Sequence, residues 1–112
     1  MTNQLFEEIF AAAVARERAT LMVKAAEYAR GDRLSNFKLA GARLECTPER
    51  ALEGMMEKHL TSIHDLIRDI DRGVVAPVDQ WREKIGDARN YLILLEGLVS
   101  ERVCGWPPMP DA

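Results

Sequence analysis

The sequence predicts an all-α protein: one four-helix bundle with a long N-terminal helix, a short second helix and two long antiparallel helices. Three observations carry that prediction. Apolar residues recur at three- and four-residue spacing, the long segments contain no internal proline, and glycine or proline punctuates the chain so as to leave four helical stretches. The first stretch, about Asn3 to Arg30, is rich in Ala, Glu, Arg, Leu and Met, without Gly or Pro, and Gly31 stands where it would end. It reads as one long helix or two abutting ones. After Gly31-Asp32-Arg33, the apolar residues Leu34, Phe37, Leu39, Ala40 and Leu44 fit a short helix that stops near Cys46. Thr47-Pro48-Glu49 is a strong helix start, because Thr accepts from orphan amides, Pro suits the first turn and Glu favours the positive end of the dipole. The third helix then runs to about Arg72, with Leu52, Met56, His59 or Leu60, Ile63, Leu66, Ile67 and Ile70 as its seam and Gly73 closing it. Val74-Val75-Ala76-Pro77 connects it to a fourth helix, roughly Val78 to Val103. That helix carries two apolar stripes: Trp81, Ile85, Ala88, Leu92, Leu95 and Val99, then Tyr91, Leu94 and Leu98. Such wide apolar cover exceeds what one partner helix needs, so part of it is expected to face another subunit.

At 112 residues the chain is long enough for one domain, expected over 1–104, with a Pro-rich tail over 105–112. Fifteen basic residues against eighteen acidic give a net charge of −3, which excludes the broad basic footprint of a protein that binds long nucleic acid. Cys46 and Cys104 form no Cys-x-x-Cys pair, so neither a disulfide framework nor a zinc site is expected. No apolar run reaches the roughly 20 residues of a membrane span, and the N-terminus lacks a basic start followed by an apolar core. A soluble, cytoplasmic protein with no membrane partner is expected. A P-loop and a Gly-x-Ser-x-Gly elbow are absent from the sequence.

Chemistry concentrates in two carboxylate-bearing segments, Glu53-Gly-Met-Met-Glu57-Lys58-His59 and Glu83-Lys84-Ile85-Gly86-Asp87. Acids four residues apart share a helical face, so two apposed helices could gather Glu53, Glu57, Glu83 and Asp87 as oxygen ligands for a divalent cation such as Mg²⁺. The same neighbourhood holds cations for phosphate oxygens at Lys24, Arg33, Lys38 and Lys58. Asn36 and Asn90 are amides for a base or ribose edge, and Phe37, Tyr28 or Tyr91 supply rings. The simpler reading of each acid is a solvated helix face or an i, i+4 ion pair. His59 and His64, five residues apart, are turned about 140° from each other and do not make a two-ligand pair; both read first as structural.

The succession Lys24-Ala-Ala-Glu27-Tyr28, Asn36-Phe37, Gly54-Met-Met-Glu-Lys58-His59-Leu with Ile63, and Ile85-Gly86-Asp87 with Asn90-Tyr91-Leu resembles small phage and prophage proteins related to the MazG-type all-α nucleoside triphosphate pyrophosphohydrolases. The resemblance spans roughly Lys24 to Val99. It implies a bundle, dimeric or tetrameric, that holds Mg²⁺ on helical acids and hydrolyses a nucleoside triphosphate to monophosphate and pyrophosphate, with Asp87 as a catalytic acid; Glu83, one turn earlier, is the candidate second acid. Active members usually carry Glu-x-x-Glu and Glu-x-x-Asp; here Asp87 matches the second motif, Glu83 stands one residue out of register, and the first motif has no direct counterpart. Two other readings stand beside it: a bundle that binds a nucleotide without cleaving it, and a phage protein-interaction bundle.

Overall fold

The computed structural model describes residues 1–28 and 31–104, with side chains described for 1–24 and 31–103. The expected tail and the side chain of Tyr28 lie outside the described residues. The described chain is all-helical: α1 (Asn3–Tyr28), α2 (Ser35–Leu44), α3 (Pro48–Asp71) and α4 (Val78–Cys104), with no strand among the described residues. No helix there is long and apolar enough to cross a membrane.

Local chemistry sets each boundary. α1 is one uninterrupted helix, as a stretch without Gly or Pro allows, and Gly31 follows it at φ +95°. Before α2, the Asp32 carboxylate accepts from the Leu34 amide at 2.9 Å. At its end Glu45 adopts the left-handed conformation, φ 56°, and the Cys46 amide donates back to the Gly41 carbonyl at 2.9 Å. Gly41 is required by the tightness of this corner: a Cβ there would lie 2.8 Å from the Cys46 carbonyl oxygen and 3.0 Å from the Pro48 nitrogen. The Thr47 hydroxyl caps α3 by accepting from the Arg50 amide at 3.1 Å, with Pro48 in the first turn. α3 closes in a Schellman arrangement, the Val74 amide donating to Asp69 and the Gly73 amide to Ile70, both at 2.9 Å, with Gly73 at φ +83°.

The short connector makes α3 and α4 an antiparallel hairpin, the most extensive packing in the molecule; α2 lies on α3, and α1 approaches α4. The core sits where α2, α3 and α4 meet: Phe37, Leu52 and Leu98 are buried, with Leu34, Met55, Tyr91, Leu94 and Leu95 packed around them. Of the expected seam of α3, Leu52, Met56 and Leu66 are buried, whereas Ile67 and Ile70 are exposed. The ten residues of α2 cover about 15 Å and cannot follow a 24-residue α3 to its end.

Two ion-pair groups fasten this corner. Lys38 Nζ bridges Asp32 at 2.6 Å and Glu101 at 2.8 Å, and Arg102 forks onto Glu49 at 2.6 and 2.8 Å. The Lys38 ammonium, with the Leu34 amide, holds the Asp32 carboxyl below its ordinary range, and Arg102 does the same for Glu49. Lys38 is raised by Asp32 first and Glu101 second, and Arg102 is raised by Glu49. Asp32, Lys38 and Glu49 are half-buried and Arg102 is exposed, so both groups still meet water and each pair contributes modestly.

Candidate functional site

Helical spacing builds the site. On α4, Asp87, Asn90, Tyr91 and Leu94 follow i, i+3, i+4, i+7 and share one face; on α3, Met55, Lys58 and His59 do the same; on α2, so do Asn36, Leu39, Ala40 and Arg43. These faces meet Leu21 and Lys24 of α1 and Arg33 of the α1–α2 connection around one hollow of about 520 Å³. That volume suits a small-molecule ligand.

The floor of the hollow is aromatic. The Tyr91 ring lies 5.2 Å from the His59 ring at a 34° tilt, and Phe37 meets Tyr91 edge-on at 6.4 Å. His59 Nδ1 stands 3.5 Å from Asp87 Oδ2, which ties α3 to α4 at the base of the cleft. The wall is cationic: Lys24, Arg33, Arg43 and Lys58 surround a single carboxylate, Asp87. Among the described residues Lys24, Arg43 and Lys58 have no carboxylate partner, whereas Arg50, Arg72, Arg82, Arg89 and Arg102 are each paired. Asn90 Oδ1 is buried in the same wall and meets no hydrogen-bond donor among the described residues. A buried acceptor left in that state costs about 1–3 kcal/mol, so the position favours a ligand N–H or O–H.

The structure therefore brings Lys24, Arg33, Asn36, Phe37, Lys58, Asp87, Asn90 and Tyr91 together in one place. Lys38 is elsewhere, engaged by Asp32 and Glu101. Glu83 is exposed and lines a neighbouring hollow of about 310 Å³ together with Glu17, Asp79, Asp87 and three arginines. In that second hollow Arg82 pairs with Asp79 at 3.4 Å and Arg89 with Glu17. Asp87 and Asn90 belong to both walls. Glu53 pairs with Arg50 at 2.6 Å beside Met56 and Leu95, and Glu57 is exposed. The geometry of α3 explains their absence from the cleft: Glu57 stands two residues from both Met55 and His59, about 200° round the helix. No group of three or more His, Cys, Asp or Glu side chains placed to hold a metal ion occurs among the described residues. Glu83 and Asp87, one turn apart on α4, supply two carboxylates to the second hollow.

Sequence reasoning missed Arg43; it read Met55 as core filler, and Met55 does pack against the core, and it read His59 first as structural, with a buried donor near the cleft as the other reading. The signal was present in the spacing: Arg43 follows Asn36 by seven residues on α2, and Met55 and His59 flank Lys58 on one face of α3. Comparison of the chain with protein-family models, with curated proteins and with solved structures finds no match in any of the three.

Proposed function

We propose that this protein binds a nucleoside phosphate in the hollow between α2, α3 and α4. The observation that carries the reading is the set of cations without carboxylate partners, Lys24, Arg43 and Lys58, gathered beside an aromatic floor in a chain whose net charge is −3. Cationic side chains so placed hold phosphate oxygens through charge-assisted hydrogen bonds. Phe37 and Tyr91 offer the apolar surface a base requires, and Asn36 and Asn90 offer amide groups to its edge or to the ribose. A thermal-shift screen against ribo- and deoxyribonucleoside phosphates, each with and without Mg²⁺, tests the reading. Binding is expected to raise the melting temperature and to be lost in a Lys24→Ala, Lys58→Ala double variant. No shift with any nucleotide would leave a protein-interaction bundle as the better account.

One observation favours hydrolysis as a second reading. Asp87 opens onto both hollows, and Glu83, one turn earlier, lines the second, so two carboxylates stand beside the place where the cations would hold a phosphate chain. The resemblance to MazG-type pyrophosphohydrolases points the same way. Mg²⁺ bound with a triphosphate would neutralise its charge and favour attack by water. In that chemistry Asp87 and Glu83 would hold the Mg²⁺, Lys58 and Arg43 would hold the phosphate oxygens, and His59, 3.5 Å from Asp87, would help position its carboxylate. Chromatography of the incubated mixtures for monophosphate and pyrophosphate separates the two readings. Product that appears with Mg²⁺ and vanishes in Asp87→Ala supports hydrolysis; binding without product supports a sequestering or sensing protein.

A further inference from the structure

Two apolar surfaces are left uncovered, and each has the form the other needs. The first is the N-terminal half of α1. Every residue from Met1 to Ala12 is exposed, including Leu5, Phe6 at 61 %, Ile9 and Phe10 at 64 %, and Val14 beyond them is exposed as well. Cover begins at Ala13 and Glu17, both buried. The second surface is the C-terminal half of α4, where Leu92, Leu95, Glu96, Val99, Ser100 and Val103 line an open groove of about 620 Å³. Leu92, Val99 and Val103 are exposed there, Val103 at 72 %. This groove continues the stripe that begins at Trp81, Ile85 and Ala88; the α4 residues that share a hollow with α1 lie between Asp79 and Leu94, so α1 leaves the far half of the stripe open.

We propose that a second copy of this chain covers both surfaces at once, the N-terminal half of each α1 lying in the α4 groove of the other. Lengths match: Leu5 to Val14 rises about 14 Å and Leu92 to Val103 about 17 Å. The arm cannot fold back onto its own groove, because α1 is a single helix without Gly or Pro and its second half is already held on α4 by Arg89–Glu17. A two-fold axis satisfies both arms and both grooves with one kind of contact, the closed arrangement typical of homodimers. The two faces carry the apolar surface such a contact buries: Leu5, Phe6, Ile9, Phe10 and Val14 on the arm, and Leu92, Val99 and Val103 on the groove, are all exposed. The arm also has a need of its own, since three turns of helix without tertiary cover are marginal in water. The nucleotide reading plays no part in this inference.

Sedimentation equilibrium of the wild-type chain, of Phe10→Glu, of Val99→Lys, and of the two variants mixed tests the arrangement. Twice the chain mass of 12.6 kDa is expected for the wild type, single-chain mass for each variant alone, and restored dimer in the mixture. In the mixture one arm–groove contact is fully native and the other sets Glu against Lys. Rescue is expected whether or not the separate variants keep their full helicity. A monomeric wild type at micromolar concentration would overturn the proposal. So would a Val99→Lys chain that still dimerises, because pairing would then run through the arms alone, and so would a mixture that stays monomeric.

Discussion

Two hollows share a wall in this molecule, and their charges are handled differently. In the smaller one, between α1 and the first half of α4, Arg82 is answered by Asp79 and Arg89 by Glu17, while Arg16 has no carboxylate partner among the described residues. In the larger one, Lys24, Arg43 and Lys58 have no carboxylate answer among the described residues, and the floor beneath them is aromatic. Arg89–Glu17 joins α4 to α1, whereas Arg82–Asp79 lies within α4. Like charges converging without partners repel one another, a cost that a folded chain retains most readily where an anion offsets it. The comparison thus sets a hollow in which two of three arginines are paired beside one in which Lys24, Arg43 and Lys58 are not, and the proposed nucleotide site is the second.

The largest way to break the comparison goes through the core beneath the cationic hollow. Phe37 is buried and packs edge-on against Tyr91, so Phe37→Ala is expected to cost about 3–5 kcal/mol in chemical denaturation. Thr20→Ala, on the rim of the acidic hollow, is expected to stay within about 0.5 kcal/mol. Equal losses at the two positions would show that the core does not belong specifically to the larger hollow. A sharper test follows from the cations themselves. Hydrogen bonds to charged groups contribute about 1.5–3 kcal/mol, so Lys58→Ala is expected to weaken nucleotide binding roughly ten- to a hundredfold. Arg82→Ala, whose guanidinium is already paired with Asp79, is expected to change affinity less than threefold by titration calorimetry. If Arg82→Ala weakened binding as much as Lys58→Ala, the functional division between the two hollows would collapse.

The corner that positions α2 over the cationic hollow gives a third, smaller effect. Gly41→Ala places a methyl 2.8 Å from the Cys46 carbonyl oxygen, backbone that cannot swing aside as a side chain would. A loss of about 1–3 kcal/mol is expected, together with weaker nucleotide binding, because Asn36 and Arg43 ride on the same short helix. Unchanged stability and affinity would mean that this corner yields without moving α2.

Much of the fold was legible in the sequence, and the reasons differ from element to element. Thr47-Pro48-Glu49 and Gly73 marked the ends of α3 because capping is local chemistry, readable from a few neighbouring residues. Lys24, Asn36, Lys58 and Asn90 are nominated by their side-chain chemistry and by the resemblance, and the structure places them around one hollow. What could not be read was direction round the helix axis once a second element competed for it. Lys38 shares α2 with Asn36, yet Asp32 and Glu101 hold it on another side. Glu53 and Glu57 share a face with each other, as their spacing requires, but that face is turned from the cleft that Lys58 and His59 line. Spacing within one helix fixes which residues travel together; which of two faces looks inward is decided by partners far away in the chain.

The smallest effect concerns acid, and it sharpens the same distinction, because the carboxylates that are held strongly belong to the frame rather than to the cleft. Asp32 and Glu49 have lowered pKa values, owing first to Lys38 and to Arg102 respectively. A carboxylate lowered on folding contributes stability that is present above its unfolded value, near 4, and disappears as pH falls through the folded value. Lys38, raised by Asp32 and Glu101, contributes below its unfolded value of 10.5 and loses that contribution as pH climbs through the folded value. Between about pH 5 and 10 these pairs should leave stability flat. Glu49→Gln removes one of them. At pH 7 its melting temperature is expected to fall slightly below that of the wild type, and the gap is expected to close below about pH 4, as the wild-type carboxylate takes up its proton and releases Arg102. Thermal melts of the two proteins across pH 2.5 to 7 decide it. A gap that persists unchanged at low pH would mean that Glu49 supports the start of α3 through its packing, and that the ion pair to the end of α4 contributes nothing of its own.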